Sequence, residues 1–212
     1  LESLKNVGID HTIIVTGFQE SHYHRHLQKQ AITPELEFVH SKEFEETGSM
    51  HSLFLAKNYL KEDFLLLESD LLYESRALHY VINFEGTDVI LASGESKSGD
   101  EVYIYGEGSK EQIDSLKLGS ITRGKINAIS KNPFPKLSVK GELVGISKIS
   151  LKLFNRMCDN YETNPEFPCK RHYEEYISDL CSNTEIPFLR VKDLVWTEID
   201  DQYHYERALK EI

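Results

Sequence analysis

Two apolar segments of the chain end in acidic side chains. Glu68 and Asp70 follow the run Phe-Leu-Leu-Leu at residues 64–67, and Glu198 and Asp200 follow Trp-Thr at residues 196–197. An apolar run that ends in carboxylates is typical of a buried parallel strand whose carboxyl end opens onto a ligand crevice. Glu198 and Asp200 are two residues apart and so share one face of an extended segment. The pattern predicts that both acidic clusters meet at one edge of a sheet.

Carboxylates in this arrangement suit a Mg²⁺ site that acts on a nucleoside triphosphate. Mg²⁺ prefers oxygen ligands and usually takes only one or two protein carboxylates besides the phosphates whose charge it neutralises. We therefore predict Asp70 and Asp200 as metal ligands and catalytic residues, with Glu198 as a third ligand or a partner through water.

Each acid also has a structural alternative. Asp70 can simply end a strand, because Asp favours turns. Glu198 and Asp200 can supply N-cap and first-turn charge to a helix that begins near residue 202, and we assign that structural role to Asp201.

Composition limits the function classes that remain. The 212 residues include 40% hydrophobic and 28% charged residues, which predicts one ordinary globular domain spanning 1–212. The formal charge of −11 argues against a nucleic-acid partner, because that class relies on Lys and Arg to neutralise phosphates. Small nucleotides remain compatible with this charge, since a metal ion and backbone N–H groups can hold them locally.

Cysteine spacing and hydropathy indicate a cytoplasmic protein. Cys158, Cys169 and Cys181 are widely separated and include no Cys-x-x-Cys pair, so neither a disulfide framework nor a zinc site is predicted. No apolar stretch approaches the roughly 20 residues of a membrane-spanning helix, and no signal segment opens the chain. We therefore expect no membrane partner.

The elements that must position these acids alternate between strand and helix. Strands are predicted at 11–16, 36–40, 63–68 and 88–92, with helices at 20–29, 50–60 and 75–83 between them. This alternation predicts an α/β fold with a doubly wound, mostly parallel, Rossmann-like sheet. Short strands at 102–105, 120–122, 126–130 and 142–146 predict a small antiparallel subregion on the substrate side. Helices at 150–161, 173–181 and 202–212, with a strand at 188–191, complete the prediction.

A series of motifs carries a family resemblance over nearly the whole chain. In order they are Ile-Ile-Val-Thr-Gly-Phe at 13–18, Glu-Thr-Gly-Ser-Met-His-Ser-Leu at 46–53, Leu-Leu-Glu-Ser-Asp at 66–70, Gly-Glu-Leu-Val-Gly-Ile-Ser at 141–147 and Trp-Thr-Glu-Ile-Asp-Asp at 196–201. The chain resembles the small-molecule nucleotidyltransferases, and within them the cytidylyltransferases that activate phosphocholine, inositol phosphate or 2-aminoethylphosphonate. The Thr-Gly-Ser-Met element at 47–50 favours the 2-aminoethylphosphonate group.

The resemblance implies transfer of CMP from CTP to a small phosphonate or phosphate, with release of pyrophosphate. It implies a base- and ribose-binding turn formed by Thr47, Gly48, Ser49 and Ser52. It places Gly145 and Ser147 beside the acceptor and brings Lys148 within reach of a phosphonate oxygen. It also suggests that Tyr173 and Glu174 face the acceptor, where a carboxylate could pair with an ammonium group.

One departure from the family keeps other functions open. The family opens with a Gly-rich loop followed by Arg and a Pro-Lys pair, and residues 1–212 contain no such segment, so we expect a shortened sequence or a degenerate relative. The alternatives are a phosphocholine, inositol-phosphate or sugar-phosphate nucleotidyltransferase, a glycosyltransferase that uses Glu68 and Asp70 with Mn²⁺, and a catalytically silent nucleotide-binding domain. The sequence does not indicate an oligomeric state.

Overall fold

The computed structural model describes residues 1–27, 35–96, 99–113 and 119–211. In chain order the helices are α1 (Glu2–Asn6), α2 (Glu20–Leu27), α3 (Ser49–Leu55), α4 (Arg76–Ile82), α5 (Leu151–Glu162), α6 (Tyr173–Leu180) and α7 (Gln202–Glu211). The strands are β1 (His11–Thr16), β2 (Glu35–His40), β3 (Phe64–Leu67), β4 (Leu71–Tyr73), β5 (Val89–Ser93), β6 (Tyr103–Gly108), β7 (Gln112–Ile113), β8 (Ser120–Ser130), β9 (Val139–Ile149), β10 (Pro187–Val191) and β11 (Trp196–Glu198). The predicted C-terminal end of the second helix, at residue 29, lies outside the described residues.

The chain divides into two units, which we describe separately. The first unit comprises Leu1–Glu62 and Leu151–Tyr176, and the second comprises Asp63–Ser150 and Ile177–Ile212. The single domain expected over residues 1–212 stays a prediction.

The first unit combines a parallel strand pair with helices. β1 and β2 pair in parallel from His11 opposite Glu35 to Thr16 opposite His40, as the alternation of strand and helix predicted. Buried side chains of α3 and α5 supply its core, among them Met50, Phe154 and Tyr161. The Tyr161 ring also packs edge-on against Tyr176, with centroids 5.6 Å apart. These contacts fix the beginning of α3, which follows the predicted nucleotide-binding turn.

A mixed sheet forms the core of the second unit. Its strands follow the order β10-β5-β9-β6-β8-β7, with β3 paired to β9 and β10 also paired to β8. The β10–β5 pair is parallel, whereas β9 is antiparallel to β3, β5 and β6. The predicted α/β class is confirmed. The antiparallel part is more extensive than the small subregion predicted, because β8 and β9 are both 11 residues long and join several partners.

A separate two-stranded sheet in the second unit was not predicted as such. β4 and β11 pair antiparallel, with Tyr73 opposite Trp196 and Leu71 opposite Glu198. Trp196 and Thr197 are buried, which anchors β11 before α7 begins. Among the described residues, no helix is both long enough and apolar enough to cross a membrane.

Candidate functional site

The β4–β11 ladder brings the two predicted acidic clusters together. The ladder continues past its last paired residues, because the Ile199 N–H donates to the Asp70 carbonyl oxygen over 2.9 Å. Asp70 therefore lies beside the backbone of the residue that precedes Asp200. The clusters are separated by about half of the chain, and this strand pairing places their side chains within mutual electrostatic range.

The acids of the two clusters affect one another's protonation. Burial raises the pKa of Asp70 above its usual value, a hydrogen bond from its own backbone N–H lowers it, and repulsion from Asp200 raises it further. Burial also raises the pKa of Glu198 to about 7, with added repulsion from Glu68, Asp70, Asp200 and Asp100. Within the described part of the chain, neither Asp70 nor Glu198 forms an ion pair with Lys or Arg.

These acids fit a nucleotide-bound Mg²⁺ better than a metal held by protein alone. Across the described residues, no set of three or more His, Cys, Asp and Glu side chains is arranged to hold a metal ion. Mg²⁺ in phosphate sites commonly takes only one or two carboxylates and completes its shell with phosphates and water. Asp70 and Asp200 would provide that number of protein ligands, and their role as metal ligands stays a prediction.

Glu68 belongs to the same acidic group, and its position explains a glycine in β9. Its backbone N–H donates to the Gly145 carbonyl oxygen over 3.0 Å. Gly145 has φ +78°, and a Cβ added there would lie 2.5 Å from Glu68 Oε2. The Glu68 carboxylate thus fills the space that a side chain at Gly145 would need. Gly145 is predicted to lie beside the acceptor, and the structure places it next to the acidic group.

Two neighbours of Gly145 on β9 have different environments. Ser147 is fully buried, and its Oγ has no hydrogen-bond partner among the described residues. Lys148 is half-buried, and its Nζ donates to the Phe84 carbonyl oxygen over 3.2 Å. Contact between Lys148 and an acceptor stays a prediction, and it requires the ammonium to leave or share this bond.

The predicted nucleotide-binding turn lies in the first unit and is tightly held. Thr47 Oγ1 donates to the Glu43 carbonyl oxygen over 2.7 Å, and the Gly48 N–H donates to the Cys169 carbonyl oxygen over 3.2 Å. A Cβ added to Gly48 would overlap the carbonyl oxygens of Lys170 and Arg171. Gly48 is therefore required for close contact with the 169–171 backbone. Backbone contact with a nucleotide, which we predicted for the same residue, stays a prediction.

The structure joins the rest of this turn to the residues predicted to face the acceptor. Ser49 Oγ accepts the Tyr173 N–H over 3.2 Å and lies 3.2 Å from His172 Nδ1. Tyr173 and Glu174 are only 2% and 9% exposed. Ser52 follows on α3 and is half-buried. The nucleotide-binding and acceptor roles assigned to these residues stay predictions, while their proximity is a structural fact.

Sequence reasoning missed one residue that contacts the acidic group. His204 is 8% exposed, and its Nδ1 lies 3.4 Å from Asp200 Oδ2. The spacing of four residues at the start of a helix was the available signal. The role assigned to Asp201 is confirmed, because its Oδ1 accepts the His204 N–H over 2.8 Å and so caps α7.

In the metal-free protein, Glu198→Gln will remove a pH dependence of stability. The pKa of Glu198 is raised from 4.5 to about 7 in the folded chain. The unfolded chain therefore releases this proton at lower pH, and the folded state loses stability as the pH rises between these values. Thermal unfolding is measured for the wild type and Glu198→Gln in the presence of a chelator. From about pH 5 to about pH 8, the Tm of the variant should rise relative to that of the wild type by at least about 2 °C. A constant Tm difference between the two proteins would contradict the raised pKa.

Known structures share this fold across the whole chain. No family model matches the sequence. The inositol-1-phosphate CTP transferase from T. maritima is 16% identical, with a TM-score of 0.71 over 99% of this chain and 80% of that one. UDP-glucose pyrophosphorylase complexed with UDP-glucose is 13% identical, with a TM-score of 0.72 over 99% of this chain and 83% of that one. CTP:phosphocholine cytidylyltransferase from Streptococcus pneumoniae is 15% identical, with a TM-score of 0.65 over 99% of this chain and 81% of that one.

These similar structures are nucleotidyltransferases, and some of them use CTP. At such low identity the likeness establishes the fold, and fold alone does not fix a reaction. The predicted nucleotidyltransferase-type α/β fold is therefore confirmed, and the assignment of a reaction depends on the site.

Proposed function

We propose that the protein is a Mg²⁺-dependent cytidylyltransferase that transfers CMP from CTP to a small phosphonate or phosphate, with 2-aminoethylphosphonate as the favoured acceptor. The observation that carries this proposal is the β4–β11 pairing, which brings Asp70 and Asp200 together in a fold shared with nucleotidyltransferases.

The reaction requires positioning and charge neutralisation more than acid–base chemistry. An anionic oxygen of the acceptor attacks the α-phosphorus of CTP, a new P–O bond forms, and the bond to the leaving pyrophosphate breaks. Because the acceptor oxygen is already ionised near neutral pH, no general base is needed. Bound Mg²⁺ would offset the negative charge of the triphosphate. Asp70 and Asp200 would hold the ion, with Glu198 as a third ligand or a partner through water.

The donor nucleotide would bind at the turn that precedes α3. Thr47, Gly48, Ser49 and Ser52 would contact the base and ribose through backbone groups and hydroxyls. CTP as the donor is supported by the names of two similar structures, an inositol-1-phosphate CTP transferase and a CTP:phosphocholine cytidylyltransferase.

The acceptor would lie beside β9. Gly145 and Ser147 would line it, and Lys148 would contact a phosphonate oxygen after releasing the Phe84 carbonyl. Tyr173 and Glu174 are further candidates for acceptor contacts, with Glu174 pairing with an ammonium group. Phosphocholine, inositol phosphate and sugar phosphates remain alternative acceptors, because the similar structures include enzymes named for such compounds.

A catalytically silent nucleotide-binding domain is the second candidate. One observation favours it: the Lys148 ammonium, which we predict to contact the acceptor, is hydrogen-bonded to the Phe84 carbonyl oxygen. This candidate predicts nucleotide binding without turnover. The glycosyltransferase alternative gains no support, since the similar structures reported above are nucleotidyltransferases.

Pyrophosphate release tests the proposal. The protein is incubated with Mg²⁺ and each NTP in turn, against 2-aminoethylphosphonate, phosphocholine, inositol phosphate and glucose 1-phosphate. We expect release with CTP and 2-aminoethylphosphonate, and no release when either substrate is omitted. CTP binding without release for any acceptor would establish the silent domain, and release only with a different acceptor would correct the substrate.

A further inference from the structure

A largely buried chain of polar groups connects residues 43–48, which contain the nucleotide-binding turn, to the backbone near Cys169 that packs against them. His51 Nδ1 lies 2.9 Å from the Tyr161 hydroxyl, and that hydroxyl accepts the Cys169 N–H over 3.4 Å. On the other side of the imidazole, His51 Nε2 lies 3.6 Å from Glu43 Oε2. His51 is 6% exposed and Tyr161 is fully buried, so water competes little with the hydrogen bond between them, whereas the Glu43 side chain is exposed.

The partners of His51 indicate which ring nitrogen carries the proton. His51 Nε2 forms no hydrogen bond among the described residues, but the negative charge of the Glu43 carboxylate 3.6 Å away favours an N–H over a lone pair on this nitrogen. In a neutral imidazole Nδ1 is then the acceptor, and the Tyr161 hydroxyl donates to it. That hydroxyl keeps a lone pair for the Cys169 N–H. The hydrogen bonds then run in a single direction, from the Cys169 N–H through the Tyr161 hydroxyl to His51 Nδ1, and the Glu43 carboxylate interacts electrostatically with the other side of the ring.

Both ends of this chain of contacts belong to the structure that holds the turn. Glu43 begins the turn and accepts the Thr47 hydroxyl through its carbonyl oxygen. Cys169 accepts the Gly48 N–H, and the carbonyl groups after it pack directly on Gly48. A change in the His51–Tyr161 contact would therefore move residues 43–48 relative to residues 169–173.

We propose that His51 and Tyr161 are positioning residues that hold the 43–48 turn in the geometry that binds the donor nucleotide. This inference rests on the proposed function for the identity of the nucleotide. Neither residue is assigned contact with CTP. They act by fixing the Gly48 backbone and the Ser49 hydroxyl, so their loss weakens nucleotide binding and leaves the chemical step intact once CTP is bound.

The chain of contacts from Cys169 through Tyr161 and His51 to Glu43 is called the relay below. Tyr161→Phe tests it with little change in side-chain volume. It leaves the Cys169 N–H and His51 Nδ1 without their partner, a loss that costs roughly 1–3 kcal/mol for a buried group. We expect the Kd and KM for CTP to rise about tenfold, as about 1.4 kcal/mol predicts, with kcat within about twofold of the wild type. His51→Asn keeps an acceptor near the Nδ1 position, and it should recover most of the CTP affinity that His51→Leu loses. Glu162→Gln is the matched control. Glu162 is next to Tyr161 in the sequence, and the substitution removes only its exposed ion pair with Lys57.

Two readouts remain valid even if CTP is not the nucleotide. NMR of the His51 ring should show the Nε2–H tautomer, and hydrogen exchange in residues 43–49 should accelerate in Tyr161→Phe but not in Glu162→Gln. An Nδ1–H tautomer, or unchanged exchange in Tyr161→Phe, would overturn the relay. A Tyr161→Phe variant that lowers kcat at unchanged KM would also overturn it, because the residue would then act on the reaction rather than on the turn. Failure of the wild type to bind CTP, with the expected tautomer and exchange, would refute the proposed function and leave the relay standing.

Discussion

Asp70→Asn and Asp200→Asn will each lower nucleotidyl transfer by about 10²–10³-fold, the range found when one electrostatic contact to a transition state is removed. Asn preserves the size of the side chain and removes the charge that a divalent ion requires. Both residues sit at the end of the β4–β11 ladder, and the backbone bond from Ile199 to Asp70 does not depend on either carboxylate. The variants should therefore fold, and relief of like-charge repulsion should leave the metal-free protein at least as stable as the wild type.

Steady-state rates of pyrophosphate release, measured at saturating CTP and Mg²⁺, provide the test. Asp201→Asn is the matched control, because it alters an adjacent acid whose role is to cap α7, and Asn is an equally good N-cap. The control should stay within about twofold of the wild-type rate. Wild-type rates in both Asp70→Asn and Asp200→Asn would exclude these residues as ligands.

Gly48→Ala is expected to produce the second large effect. An added methyl group would overlap the Lys170 and Arg171 carbonyl oxygens, which are backbone atoms and cannot rotate away. Relief requires residues 169–171 to move, which would weaken the Gly48 bond to Cys169 and the Ser49 contacts. Overpacking of this kind costs roughly 1–3 kcal/mol.

Thermal unfolding and CTP binding should both report this change. A loss of that size lowers Tm by about 2–4 °C per kcal/mol in a chain of this length, and we expect the Kd for CTP to rise at least about tenfold. Lys42→Ala, in the same turn and with an exposed side chain, is the control and should change neither value. An unaltered Tm in Gly48→Ala would contradict the close contact between Gly48 and the carbonyl oxygens of Lys170 and Arg171.

Much of the secondary structure could be predicted, because the hydrophobic periodicity and the polar or glycine residues at the ends of elements indicated the same boundaries. The strands at 11–16 and 63–68 follow from apolar runs bounded by polar residues, and the structure confirms them. Residues 123–125 were predicted as a break between two strands, because glycine in a strand interior usually interrupts it. Pairing with β10, including Arg123 opposite Leu189, carries β8 through this point. Tertiary hydrogen bonding overrides local preference there.

The site was predictable only where its residues lie at the ends of elements. Asp70 and Asp200 could be proposed because each follows an apolar strand-like run. β4 and its pairing with β11 were missed, since a three-residue strand has no periodicity to detect, yet this pairing is what joins the acids. His51 and Tyr161 contact partners that are distant in sequence, and a single sequence contains no signal for such contacts.

Binding of Mn²⁺ as a spectroscopic substitute for Mg²⁺ tests most directly whether Asp70 and Asp200 share one divalent ion. Electron paramagnetic resonance of the wild-type protein titrated with Mn²⁺ and CTP should show one tightly held ion per chain, with weak binding when CTP is omitted. Asp70→Asn and Asp200→Asn should each lose that tight binding, whereas Asp201→Asn should keep it. Retention of wild-type Mn²⁺ affinity by both variants in the presence of CTP would contradict the shared site.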